Sequence, residues 1–103
     1  MKYRENIHNK VYNHPKLNVD ELGVLLSLYE NKVHRNFAKL YYGEGYTCER
    51  CAELMSYSKR HCERIKQEVD RIALYSLLNM VANSKNALKI SKIRNIVMGG
   101  AEL

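Results

Sequence analysis

The chain has 103 residues, of which 46% are hydrophobic, and a formal net charge of +6. This length allows one modest core rather than two, no apolar run is long enough to cross a bilayer, and the N-terminus lacks the apolar segment of a signal peptide. We therefore expect a single cytoplasmic domain without a membrane span. Its basic charge favours a polyanion as partner, nucleic acid first and an anionic membrane surface second, and composition does not choose between them.

The amino-acid composition of the chain favours helices. The chain has five glycines and a single proline, Pro15, among many good helix formers, which predicts an all-α fold. Tyr3, Ile7 and Val11 lie four residues apart, and Pro15 then interrupts the pattern. Residues 1–17 are therefore predicted to be a basic N-terminal arm or a short helix, preceding a core at 18–82.

A stronger helical pattern begins at Asn18 or Asp20. It is either one helix of more than twenty residues or two helices, and we favour two that bend near Glu30 and Asn31, because a small domain packs more easily that way. Gly43 and Gly45 then predict a left-handed exit from the helix. The apolar residues that recur at steps of three and four are Leu22, Leu25, Leu26, Tyr29, Val33, Phe37, Leu40 and Tyr41.

Two further helices are predicted in close succession. Residues 48–55 form a short helix, Ser56 and Tyr57 form the turn, and a long helix runs from Ser58 to about Ala82. Its section from Ile72 to Val81 is apolar nearly all round, which implies cover either by a C-terminal helix or by a second subunit. The residues expected to be buried are Cys51, Ala52, Leu54, Met55, Tyr57, Cys62, Ile65, Val69 and Ile72.

The C-terminal unit, residues 83–103, is predicted to be a loop followed by an amphipathic helix and a tail. Gly99 and Gly100 are expected to end this helix. Its apolar face is Leu88, Ile90, Ile93, Ile96 and Val97, and its basic face is Lys89, Lys92 and Arg94.

Three cysteines and a histidine fall between residues 48 and 62, which raises the possibility of a metal site. Cys48 and Cys51 have the spacing of a zinc half-site, but His61 and Cys62 are adjacent, and neighbouring helical side chains point about 100° apart. We therefore expect no metal and no cofactor. Cys51 and Cys62 instead each follow a capping hydroxyl by four residues, as small apolar residues in the contact between two helices.

Two helices joined by a tight turn, with the small Ala52 where they cross, indicate a helix-turn-helix. The outward face of its second helix carries Ser58, Lys59, Arg60, His61, Glu63, Arg64 and Gln67. Lys59 and Arg60 lie at the positive end of the helix dipole, which opposes local stability and indicates an external anion. With no phosphate-binding glycine loop and no histidine with an assignable partner, we expect no enzymatic activity.

The segment YYGEGYTCERCAELMSYSKRHCERIKQEV resembles the C-terminal helix-turn-helix of sigma-70-type factors, region 4, and more closely the phage late-operon regulators of the ArpU and RinA kind. The resemblance covers about residues 32–75. The matching residues are Tyr41, Tyr42, Gly45, Tyr46, Thr47, Ala52, Met55, Tyr57, Ser58, Arg60 and Arg64. Cys51 and Cys62 depart from it, since such families usually carry Ile or Val there.

The resemblance implies a phage or prophage transcription regulator whose recognition helix starts at Ser58. We expect it to bind double-stranded DNA in the major groove, with phosphates at Thr47 and Ser58. Base edges or nearby phosphates are expected at Lys59, Arg60, Glu63, Arg64 and Gln67. Further backbone contacts are expected from Lys39, Arg50, Lys66, Lys89, Lys92 and Arg94. RNA polymerase is a further partner, and the section from Ile72 to Val81 is the candidate homodimer surface. The alternative function is an adaptor that binds RNA polymerase or another protein rather than DNA, and a redox or metal sensor that uses the cysteines is a second rival.

Overall fold

The computed structural model describes residues 16–81 and 87–102, and this part of the chain is helical with short connections. Its helices are α1 (Val19–Leu26), α2 (Lys32–Ala38), α3 (Cys48–Met55), α4 (Lys59–Val81) and α5 (Ala87–Glu102), with a π-helical turn at Lys39–Gly43 directly after α2. The predicted all-α, multi-helix fold is confirmed. The prediction for residues 1–15 and the predicted loop at 83–86 lie outside the described residues.

The chain bends between α1 and α2 where the sequence predicted it. Asn18 caps α1 and forms a reciprocal capping box with Glu21. Asn31 caps α2, and its side chain accepts hydrogen bonds from the backbone N–H groups of Val33 and His34. Two separate side-chain caps therefore explain why a continuous apolar pattern folds as two helices.

The π-helical turn at Lys39–Gly43 was not predicted. Its wider turn is closed by a 3.1 Å hydrogen bond from the N–H of Glu44 to the carbonyl of Lys39. The neighbouring Tyr41 and Tyr42 are both buried here, with their rings in edge-to-face contact. The predicted left-handed exit is found at Gly45, whose φ is 83°.

The core lies between α4 and the other helices. Helix α5 packs mainly on α4 and also contacts α1, whereas α2 and α3 pack on the first half of α4. Leu17 is also part of the core, and its N–H donates to the Tyr42 carbonyl at 2.7 Å. The largest fully buried side chains are Leu25, Phe37, Tyr42, Cys51, Cys62, Val69, Leu77, Ile90, Ile93 and Val97.

Three predictions about burial and helix ends were wrong. Leu54 and Tyr57 are exposed, because α3 turns only its Cys51–Ala52 side towards α4. Met55 and Ile72 are only partly buried. Gly99 and Gly100 do not end α5, which continues to Glu102; glycine lowers helix propensity by about 1 kcal/mol, which weakens a helix without terminating it.

Candidate nucleic-acid interface

Helices α3 and α4 form the predicted helix-turn-helix. Thr47 caps α3, and its hydroxyl accepts a 3.1 Å hydrogen bond from the N–H of Arg50. Ser58 caps α4 in the same way, through a 3.1 Å hydrogen bond from the N–H of His61. Both hydroxyls lie at helix N-termini, where free backbone N–H groups and the helix dipole favour an anion.

The turn between the two helices depends on one residue in an unusual conformation. Ser56 has φ 61° and ψ 39°, in the left-handed region that favours glycine. The N–H of Tyr57 donates to the Ala52 carbonyl and the N–H of Ser56 to the Glu53 carbonyl, which is the hydrogen-bond pattern of a Schellman motif. The turn of a helix-turn-helix often contains glycine. Here serine occupies the left-handed position that favours glycine.

The cysteines form the contact between α3 and α4, as predicted. Cys51 and Cys62 are fully buried, Ala52 is buried in the same core, and Cys48 is partly buried against it. Burial raises the pKa of all three thiols, that of Cys51 to about 12.

These thiols are poorly suited to redox or metal chemistry. Because the thiolate is the reactive and metal-binding form, a raised pKa disfavours both kinds of chemistry at neutral pH. Within residues 16–81 and 87–102, no group of three or more His, Cys, Asp or Glu side chains is placed to hold a metal ion. The arrangement favours packing as the role of the cysteines.

The first turns of α4 present an open, mainly basic surface, which we call the reading face. Among the described residues, Lys59, Arg60 and Arg64 have neither a hydrogen-bond partner nor an ion-pair partner. Helix α4 has no acidic residue in its first turn to offset them. All seven predicted residues of the face are exposed: Ser58, Lys59, Arg60, His61, Glu63, Arg64 and Gln67.

An aromatic pair borders the reading face. The rings of Tyr57 and His61 are stacked, with centroids 4.5 Å apart and an interplanar angle of 29°. Sequence reasoning expected Tyr57 inside the protein. It instead packs on the outside of the turn, where it fixes the orientation of His61.

A buried polar network, which the sequence did not reveal, holds α4 on the rest of the fold. The Tyr42 hydroxyl donates to the buried carboxylate of Asp70, and Lys66 pairs with the same carboxylate at 2.7 Å. The Tyr29 hydroxyl donates to the Val69 carbonyl at 2.9 Å. Burial raises the pKa of both phenols, so they remain protonated donors. The only sequence signal was an acidic residue at a core position of α4.

Some side chains that sequence reasoning treated as available for DNA are engaged elsewhere. Lys66 is turned inward to Asp70, and its ammonium group lies 5.3 Å from the centre of the Tyr41 ring. Lys92 pairs with the buried Glu21 at 2.9 Å. His34, for which no partner was assigned, lies 3.1 Å from the carboxylate of Glu68. Among the described residues, Lys59, Arg60 and Arg64 therefore remain as three exposed cations within six positions at the start of α4.

Comparison of the chain with protein-family models, with curated proteins and with solved structures finds no match. Within the described residues, no helix is long and apolar enough to span a lipid bilayer. Any functional assignment therefore depends on the geometry of the helix-turn-helix and on its charges.

Proposed function

We propose that this chain is a sequence-specific regulator that binds double-stranded DNA and reads the major groove with the N-terminal part of α4. The observation that carries the proposal is the division of α4 into two sides. Cys62 and Ile65 are buried against α3 and the core, whereas the cationic side chains of the reading face point to solvent without partners among the described residues. The resemblance to region-4-like regulators supports the same function.

The proposed contacts follow from the position of each group. Arg60 and Arg64 lie one helical turn apart, about 6 Å along the axis, and each can make a two-pronged contact with guanine O6 and N7. Gln67 suits adenine and Glu63 suits the cytosine amino group. The helix N-termini at Thr47 and Ser58 meet backbone phosphates, which position the protein without reading sequence. Lys59 and His61 add cationic or polar contacts to the DNA next to these phosphates.

Selection of bound sequences from a random duplex pool tests this function. An enriched motif, together with affinity that falls steeply as salt rises, supports a sequence-specific reader. Salt-dependent binding without an enriched motif would limit the protein to non-specific DNA association. A chain that fails to bind duplex DNA at low salt contradicts the proposal.

A second candidate, the protein-binding adaptor, is favoured by one observation. A groove of about 380 Å³ lies between α2 and the end of α3, lined by Val33, Asn36, Lys39, Leu40, Leu54, Met55 and Tyr57. The groove has apolar and polar lining in similar amounts. Grooves with an apolar part can accept a partner helix or an apolar segment, and RNA polymerase is the partner expected from the resemblance. Leu54→Asp places a charge in the groove on an exposed residue. Polymerase binding that is insensitive to salt and is lost in Leu54→Asp, by a chain that does not bind duplex DNA, would favour the adaptor.

A further inference from the structure

The reading face is one end of a longer exposed stripe along α4. Arg60, Arg64, Gln67, Arg71, Tyr75 and Leu78 follow one another at steps of three or four residues, and all are exposed. The stripe is about 27 Å long at 1.5 Å per residue. Its chemistry changes along its length, from basic and polar at Arg60 to apolar at Tyr75 and Leu78.

At the apolar end of this stripe, Tyr75 and Leu78 are exposed, and Leu74 lies next to them on the helix. Tyr75 is 71% exposed and Leu78 is 60% exposed, whereas Leu74 is partly buried. Ala73 and Leu77, on the other side of the helix, are fully buried in the core to which α5 contributes. Helix α5 thus covers one side of the section from Ile72 to Val81 and leaves the other side without a partner among the described residues.

We propose that this apolar end is a pairing surface for a second copy of the same chain, with α4 packing against α4. Residues 72–81 contain no charged residue, although the chain as a whole carries a net charge of +6. Two copies therefore carry a net repulsion, and a contact confined to residues 72–81 places no like charges together. Leu74 and Leu78 are four residues apart, and Tyr75 and Leu78 are three apart, which matches the spacing through which two helices pack side by side.

The size of the surface makes the pairing weak. Three side chains bury much less than the roughly 800 Å² per partner of a standard stable interface. Repulsion between the two positive copies weakens the dimer further at low salt. The pairing surface follows from the fold alone, whereas its use in placing two reading faces on one operator rests on the proposed function.

The continuity of the stripe also sets where the second copy lies. Because the pairing surface continues the reading face, the partner copy and the DNA occupy the same side of α4. Two paired copies then diverge from their apolar ends and hold the duplex between their reading faces, as continuous basic-region helices do when they fork from a dimer across the major groove.

Analytical ultracentrifugation of the full chain without DNA tests the pairing. Leu78→Lys places a charge in the surface, and Leu88→Lys is the matched control, because Leu88 lies on α5 and is 89% exposed. We expect wild type and Leu88→Lys to dimerise at hundreds of micromolar, with pairing that strengthens as salt rises. Leu78→Lys should weaken the dimer by about tenfold or more. Unchanged circular dichroism in both variants excludes misfolding.

Two outcomes overturn the proposal: a wild type that stays monomeric at these concentrations in high salt, and a dimer that Leu78→Lys leaves intact. Neither outcome bears on DNA binding, which weakens rather than strengthens as salt rises. Failure of the pairing surface and failure of the DNA reader are therefore measured separately.

Discussion

Glu21 and Lys92 form a 2.9 Å ion pair that joins α1, near the start of the described chain, to α5, near its end. The Glu21 carboxylate is buried and also accepts a 3.0 Å hydrogen bond from the N–H of Asn18. One side chain therefore completes the cap of α1 and attaches the C-terminal helix. The pair also explains why Lys92 belongs to the fold rather than to the DNA surface.

This pair predicts a specific loss of stability in acid. The hydrogen bond from Asn18 and then Lys92 lower the pKa of Glu21 below its ordinary value of 4.5. A carboxyl group with a lowered folded-state pKa stabilises the fold above its unfolded pKa, and this contribution is lost as pH falls through the folded-state value. Urea unfolding of wild type and Glu21→Gln should therefore show a wild-type advantage near neutral pH that shrinks below pH about 4.5. An advantage independent of pH would contradict this role of the charge.

Removing the Tyr42 hydroxyl should destabilise the protein by about 1–3 kcal/mol, because Asp70 would lose a donor in a buried position. Thermal and urea unfolding of Tyr42→Phe measure the change in the free energy of unfolding. Tyr75→Phe removes the same atom from an exposed ring and should leave stability unchanged. Equal stability of the two variants would show that the Tyr42–Asp70 contact does not support the fold.

The turn offers a stabilising substitution. Ser56→Gly should raise the free energy of unfolding by about 0.5–1 kcal/mol, since glycine adopts positive φ without the steric cost that serine incurs. Ser56→Ala keeps that cost and is the matched control, expected to give no gain. A stabilisation by alanine equal to that by glycine would mean that the strain at φ 61° is not the cause.

Arg60→Ala should weaken binding to a selected operator by about 1–3 kcal/mol and relax the preference at one base pair. Arg71→Ala removes the same charge three turns further along the exposed side of α4. It should reduce affinity more evenly across sequences, because a phosphate contact carries no base information. Competition binding with operator and scrambled duplexes separates the two effects. Identical behaviour of the two variants would remove Arg60 from the base-reading residues.

The spacing of half-sites provides a further prediction. If two copies hold the duplex between their reading faces, the enriched motif should be an inverted repeat. Its half-sites should then be closer than the 10–10.5 bp that separate the sites of typical helix-turn-helix dimers. The same random-pool selection measures this spacing. Half-sites one full helical turn apart would exclude the forked arrangement while leaving DNA reading intact.

The sequence by itself determined the order of the helices and the main buried and exposed residues of the helix-turn-helix, although not the exposure of Leu54 and Tyr57. Helix α3 has the predicted bounds Cys48–Met55, α4 follows a cap at Ser58, and Cys51 and Cys62 are buried as expected. These features depend on residues within one or two helical turns of each other. Capping hydroxyls, turn residues and apolar periodicity are local properties, so they can be read without knowing what the helices pack against.

Only the tertiary structure decided which side chains remain available and which hold the fold together. Lys66 and Lys92 look like free surface cations in the sequence, yet each pairs with a buried carboxylate. Asp70 and Tyr42 are 28 positions apart, and no local pattern links them. The open side of the section from Ile72 to Val81 likewise depends on where α5 lies. Partners in these contacts are distant in the chain and meet only after the helices pack, so their identity is a property of the fold.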